Sequence, residues 1–312
     1  MKTHIKITTA LMISLGSLAT YAQQTPMYTH YMYNTLVVNP AYAGSRDALT
    51  ATALHRSQWV GLDGAPNTQT ISVHSPIISK NIGVGMSLMN DRIGPSNNTS
   101  INAHFAYRIK LNQKSKLALG VMGGADIYQA NIDNLNVDQE GDPVFQNNIN
   151  GRATPSFGFG MYYSRDRFYA GVSVPNLVEN SLSEINEDGN IMIAAQQRHY
   201  FLIAGALFNL SPSIAFKPTT LVKLTVAAPV QLGVTTTFIL MKKLHLGAMY
   251  RTGDAFGALV GLTISDQFYL GYSYDKSHGL NTFRYNSGSH EIALRYDFIF
   301  SSKKQIHTPR HF

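Results

Sequence analysis

The run Glu291-Ile-Ala-Leu-Arg-Tyr-Asp-Phe-Ile-Phe300 alternates with a period of two. Ile292, Leu294, Tyr296, Phe298 and Phe300 share one face, while Glu291, Arg295 and Asp297 share the other. A β-strand sends successive side chains to opposite faces, so this segment has one apolar and one charged surface. Leu117, Leu119, Val121, Ala125 and Ile127 repeat the pattern, as do Leu244, Leu246, Ala248 and Tyr250 set against His245 and Arg251. A strand in a soluble sandwich buries its apolar face inward, whereas a strand of a membrane barrel turns that face to lipid. Periodicity alone does not separate the two.

Composition and the N-terminus favour the membrane barrel. Only 14% of the 312 residues are charged, against roughly 25% for a soluble domain. The 17 Tyr, 15 Phe and 25 Gly suit aromatic girdles and tight turns. Mean hydropathy is -0.08, far below a bundle of membrane helices, because a barrel carries its apolar residues at alternate positions. Lys2 and Lys6 precede a short apolar run through Leu15, and Thr20 and Ala22 stand before Gln23. That is the pattern of an export signal cleaved near Ala22, and the apolar run is too short for a membrane helix.

Strand-length segments fall at about 47–57, 68–77, 82–90, 100–111, 116–128, 153–164 and 167–178. They continue at about 199–210, 214–226, 230–240, 244–252, 256–265, 267–275 and 291–300. The expectation is an all-β fold: a transmembrane antiparallel β-barrel of about fourteen strands, an even number as single-chain bacterial barrels require. The chain divides into a signal at 1–22, an N-terminal plug-like segment at 23–46, the barrel at 47–300 and a periplasmic tail at 301–312. Segment 23–46 is aromatic and Asn/Pro-rich, which suits a luminal plug better than a free linker.

Connections alternate in length. Short links fall near 79–81, 112–115, 165–166, 211–213, 241–243 and 265–266, and longer ones at 60–67, 91–99, 131–152, 179–198 and 276–290. Barrels have short periplasmic turns and long outer loops, so both chain ends are expected in the periplasm and the loops at the cell surface. The short side carries Lys80, Lys114, Lys242, Lys243, Lys303 and Lys304, and the long side carries Asp133, Asp138, Glu140, Asp142, Glu184 and Glu187. These charges either attract partners or are ordinary solvated loops.

No catalytic or metal signature stands out, and no enzyme activity or cofactor is expected. The 11 His are scattered, and with no Cys there is neither a disulfide framework nor a thiolate metal site. Ser289, His290 and Glu291 are adjacent on a strand, so they point to opposite faces and cannot form a triad alone. The acidic run 138–142 lacks the later Glu of a calcium loop. The net charge of +7 comes without a basic block, so no nucleic-acid partner is expected.

One set of residues carries a family resemblance. Gln24-Thr-Pro26-Met-Tyr28-Thr-His-Tyr31-Met32-Tyr33-Asn34 leads to Asn39-Pro40-Ala-Tyr-Ala-Gly44. Arg56-Ser-Gln58-Trp59, Gly271-Tyr-Ser-Tyr-Asp275, Gly288-Ser289-His290-Glu291 and the final Pro-Arg-His-Phe follow. In these the chain resembles the PorP/SprF family of type IX secretion outer-membrane proteins, sharply at its two ends and only in strand rhythm between. The resemblance implies a non-enzymatic role in secretion or gliding. Its implied partners are an exported, adhesin-like surface protein, held by its C-terminal signal domain, or machinery subunits in the periplasm, with outer-membrane lipid around the wall. Tyr28, Tyr31, Asn34, Asn39, Pro40, Gly44, Arg56, Gln58, Trp59, Ser289, His290 and Glu291 are the candidate plug or partner-binding residues. Trp59, the only Trp, is either a docking residue or an interfacial girdle anchor. The alternative function is an outer-membrane channel for small or hydrophobic solutes.

Overall fold

A computed structural model describes residues 26–77, 81–131, 148–179, 181–186, 189–195, 197–226, 228–278 and 286–299. The signal segment, Lys80, the acidic positions between 133 and 142, and the C-terminal tail with Lys303 and Lys304 lie outside the described residues.

The strands are β1 (Leu49–Ser57), β2 (Asn67–Ile77), β3 (Ile82–Ile93), β4 (Ser96–Lys110), β5 (Ser115–Ala130), β6 (Ile149–Arg165) and β7 (Phe168–Val174). Then come β8 (Ser181–Asn186), β9 (Gly189–Ala195), β10 (His199–Ala206), β11 (Phe208–Asn209), β12 (Ile214–Thr225) and β13 (Gln231–Leu240). The last are β14 (Leu244–Arg251), β15 (Ala255–Thr263), β16 (Phe268–Ser277) and β17 (Ser289–Phe298). Neighbours pair antiparallel from β1 to β7, then β7 with β10, β10 with β12, and so on to β17. β17 returns to β1, with Leu49 opposite Phe298 and Ser57 opposite His290. The result is a closed ring of fourteen strands. β11 adds a two-residue pairing to β12 outside that count, and β8 and β9 form a separate hairpin.

The alternation sorts as the sequence implies. On β17, Glu291, Ala293, Arg295 and Asp297 are buried, while Ile292, Leu294, Tyr296 and Phe298 are exposed. Val73, Leu88, Phe105, Val121, Leu202 and Leu246 continue the exposed apolar surface on other strands. So much exposed hydrocarbon would be an aggregation hazard in water and is what a barrel presents to lipid.

Two connections differ from expectation. The link at 91–99 is no long loop: β3 and β4 run on to a turn at Gly94-Pro95, with Asp91 opposite Asn98 and Arg92 opposite Asn97. Polar cross-strand pairs there hide the strand from a hydropathy reading. The stretch 179–198 contains the β8–β9 hairpin.

Candidate functional site

Residues 26–46 are almost entirely buried, and their partners are the inward-facing side chains of the ring. Thr35–Val38 makes one helical turn (α1). A 3-10 turn at Pro40–Tyr42 follows, where Pro40 opens the turn and the Asn39 side chain accepts from the Ala41 N–H at 2.9 Å. Proline costs nothing at that position because its missing N–H would have had no helical partner.

The segment touches strands around the whole ring. The Tyr28 hydroxyl meets Met89 Sδ on β3 at 3.2 Å, and Tyr31 donates to Thr219 Oγ1 on β12 at 3.0 Å. Asn34 donates to Thr70 at 2.7 Å and accepts from Ser72 at 3.0 Å, both on β2. Tyr33 stacks on Tyr269 of β16 with ring centres 4.3 Å apart. Asn39 donates to the carbonyls of Met161 on β6 and Val172 on β7 at 3.0 and 3.3 Å. The Gly44 N–H donates to His74 Nδ1 at 3.1 Å, and the Gly44 carbonyl accepts from Arg108. The wall is cut to fit this path. A Cβ at Gly83 of β3 would overlap the Ala43 carbonyl, and one at Gly120 of β5 would overlap the Ala41 backbone.

Two ionic clusters fix the ends. Near the long-loop end, Arg56 forks onto Asp275 at 2.7 and 3.0 Å and reaches Glu291 at 3.2 Å. The Glu291 carboxylate also accepts from the backbone N–H groups of Thr29 and His30 at 2.9 and 2.6 Å and meets His30 Nδ1 at 2.8 Å. Near the short-turn end, Arg46 forks onto Asp297 at 3.0 and 2.8 Å, and Thr50 donates to the same carboxylate at 2.7 Å. Buried charges are tolerable only when paired and hydrogen-bonded in this way. The segment therefore runs from the long-loop half of the lumen to the short-turn end.

The remaining candidates separate. Trp59 sits beyond β1 with its indole N–H donating to Ser277 Oγ at 3.1 Å and its backbone N–H to Ser289 Oγ at 3.3 Å. Ser277 and Ser289 are buried inward positions, so the indole leans over the lumen mouth. The Gln58 N–H donates to the Pro66 carbonyl, which closes the β1–β2 loop. His290 faces outward and bonds the Tyr272 hydroxyl at 2.7 Å, away from Ser289 and Glu291. Among the described residues no group of His, Asp or Glu could hold a metal ion.

Residues 20–296 match the family described as type IX secretion system membrane protein PorP/SprF. The chain belongs to the PorP/SprF family. No curated protein matches it. Among solved structures, the chain is similar to the CymD monoaromatic hydrocarbon channel, at 9% identity over 90% of this chain and 96% of that one, with TM-score 0.51. The Acinetobacter baumannii outer membrane protein Omp33 is similar at 10% identity over 82% and 100%, with TM-score 0.48. At such identity the likeness concerns the fold alone: an outer-membrane barrel.

Proposed function

We propose that this protein is a non-enzymatic outer-membrane component of the type IX secretion or gliding apparatus that helps export or anchor a large surface protein through its C-terminal signal domain. Family membership supports the apparatus. The observation that supports the holding role is the set of bonds made by the buried N-terminal segment: residues of the family's N-terminal motif bridge β2, β3, β6, β7, β12, β16 and β17, which favours binding over bulk passage. In this reading the long loops face the cell exterior and meet cargo. The basic short turns face periplasmic subunits, lipid surrounds the wall, and nucleic acid has no part.

Planar-bilayer recording tests this against the solute-channel alternative. The intact protein is expected to be nearly silent, and removal of 26–46 to open a steady conductance. A large, stable conductance from the intact protein favours the channel.

A further inference from the structure

The segment inside the barrel does not fill the long-loop half completely. A recess remains there, lined by the segment and the wall together. Its apolar lining is rich in thioether: Met27 and Val38 from the segment, and Met122, Phe201 and Leu221 from the wall. Its polar lining includes Asn98 and Asn102, and Ser156 and Asn176, which bond each other. Among the lining residues there is no Lys or Arg. The one carboxylate, Asp126, accepts from Ser100 and from Asn176, so it is committed to the wall. The short-turn half of the lumen is the opposite, with Arg46, Arg108, Lys217 and Arg295 buried in it.

One lining group points to a ligand. His199 is only 5% exposed; its Nδ1 meets Thr225 at 2.7 Å, but its Nε2 has no partner among the described residues. Buried polar atoms are nearly always satisfied, so an unpartnered His199 Nε2 in the lining of a recess marks a point where an incoming molecule can bond.

We infer that this recess is a docking pocket for an uncharged, extended polypeptide segment of the exported partner that seats one aliphatic or aromatic side chain against Met27 and Met122. The inference rests on the function proposed above. The lining decides the class. A side-chain amide such as Asn98 donates and accepts at once, matching a peptide group, and the lack of free charge selects against acidic or basic segments. Thioethers adapt to side chains of different shape. The segment itself supplies Met27, Val37 and Val38 to the lining, so a molecule seated there is held against it.

The test uses the full-length barrel in its native cells. A photoreactive benzoylphenylalanine at Met122 is expected to give an adduct with a surface-exported protein, mapping to a segment without charged residues. Asn98→Trp puts a large ring into the lining without removing a bond described above. It is expected to abolish that adduct and to lower surface retention of the same protein at least fivefold, with heat-modifiable gel mobility unchanged. An adduct with a glycan, a lipid or a charged segment overturns the pocket's assignment, as does no adduct at all. If Asn98→Trp does not fold, the Met122 adduct alone decides. Retention unchanged in a folded Asn98→Trp barrel but lost on deleting the gene sinks the pocket and leaves the proposed function standing. A surface proteome unchanged by gene deletion sinks the proposed function itself.

Discussion

Arg56 lies directly opposite Glu291 across the seam where the first strand meets the last, and both are essentially without exposure. The same Glu291 carboxylate receives the backbone N–H groups of Thr29 and His30. Closing the ring and seating the N-terminal segment thus share one set of bonds. Either one without the other leaves part of this buried charge set uncompensated.

Breaking this set is expected to be costly. Arg56→Ala leaves Asp275 and Glu291 buried without their guanidinium, a loss of roughly 3–5 kcal/mol for one partner of a buried pair. Heat-modifiability gels should show the folded band of Arg56→Ala lost at a clearly lower temperature. Arg56→Lys should fall between, because an ammonium cannot reproduce the fork onto Asp275. An unchanged melting profile for Arg56→Ala would rule out the coupled seam.

Two glycines three residues apart on β5 should behave oppositely. An added methyl at Gly120 would overlap the Ala41 backbone, whereas at Gly123 the nearest atoms are Phe157 ring carbons at 3.9 Å. Gly120→Ala should therefore displace segment 39–44 and destabilise the barrel by about 1–3 kcal/mol, the usual cost of overpacking. Gly123→Ala should be nearly neutral. Bilayer recording on both variants provides the check: only Gly120→Ala should gain conductance.

The ring fixes which lysines share an end. Lys242 and Lys243 lie in the turn between β13 and β14, at the end opposite the β16–β17 loop. Trypsin on sealed cells should cut only within 131–152, 179–198 or 276–290. Cleavage after Lys242 or Lys243 would invert the topology.

Much of the fold is legible in the sequence because lipid enforces a strict period of two. The segments at 82–90 and 100–111 are too short where β3 and β4 rise past the apolar band into polar pairs such as Asp91–Asn98, which carry no hydropathy signal. The site is less legible. Arg56, Asp275 and Glu291 all stand within the quoted end motifs, yet their meeting depends on ring closure across more than two hundred residues. Arg46 and His30 lie in the segment taken for a plug, and nothing local marks them as ion-pair partners. The usable signal is that an inward charge such as Asp297 needs a partner, which register counted from the two chain ends would place near Arg46.

Trp59 reaches Ser277 at the lumen mouth, in contrast to a girdle residue such as Tyr250, whose ring is half exposed on the outer face. Trp59→Ala is expected to reduce partner retention at the surface more than Tyr250→Ala, with thermal stability changed by no more than about 1 kcal/mol beyond that control, the scale of one hydrogen bond. Cell-surface labelling of the two strains compares them, and equal effects would assign Trp59 to the girdle.

The most direct measurement is the surface proteome of cells lacking this gene, taken by protease shaving of intact cells alongside the spent medium. The account predicts that at least one large surface protein disappears from the shaved fraction and is retained inside or shed, while other outer-membrane proteins stay normal. An unchanged surface proteome, accompanied by lost uptake of a small solute, would contradict it and establish a channel.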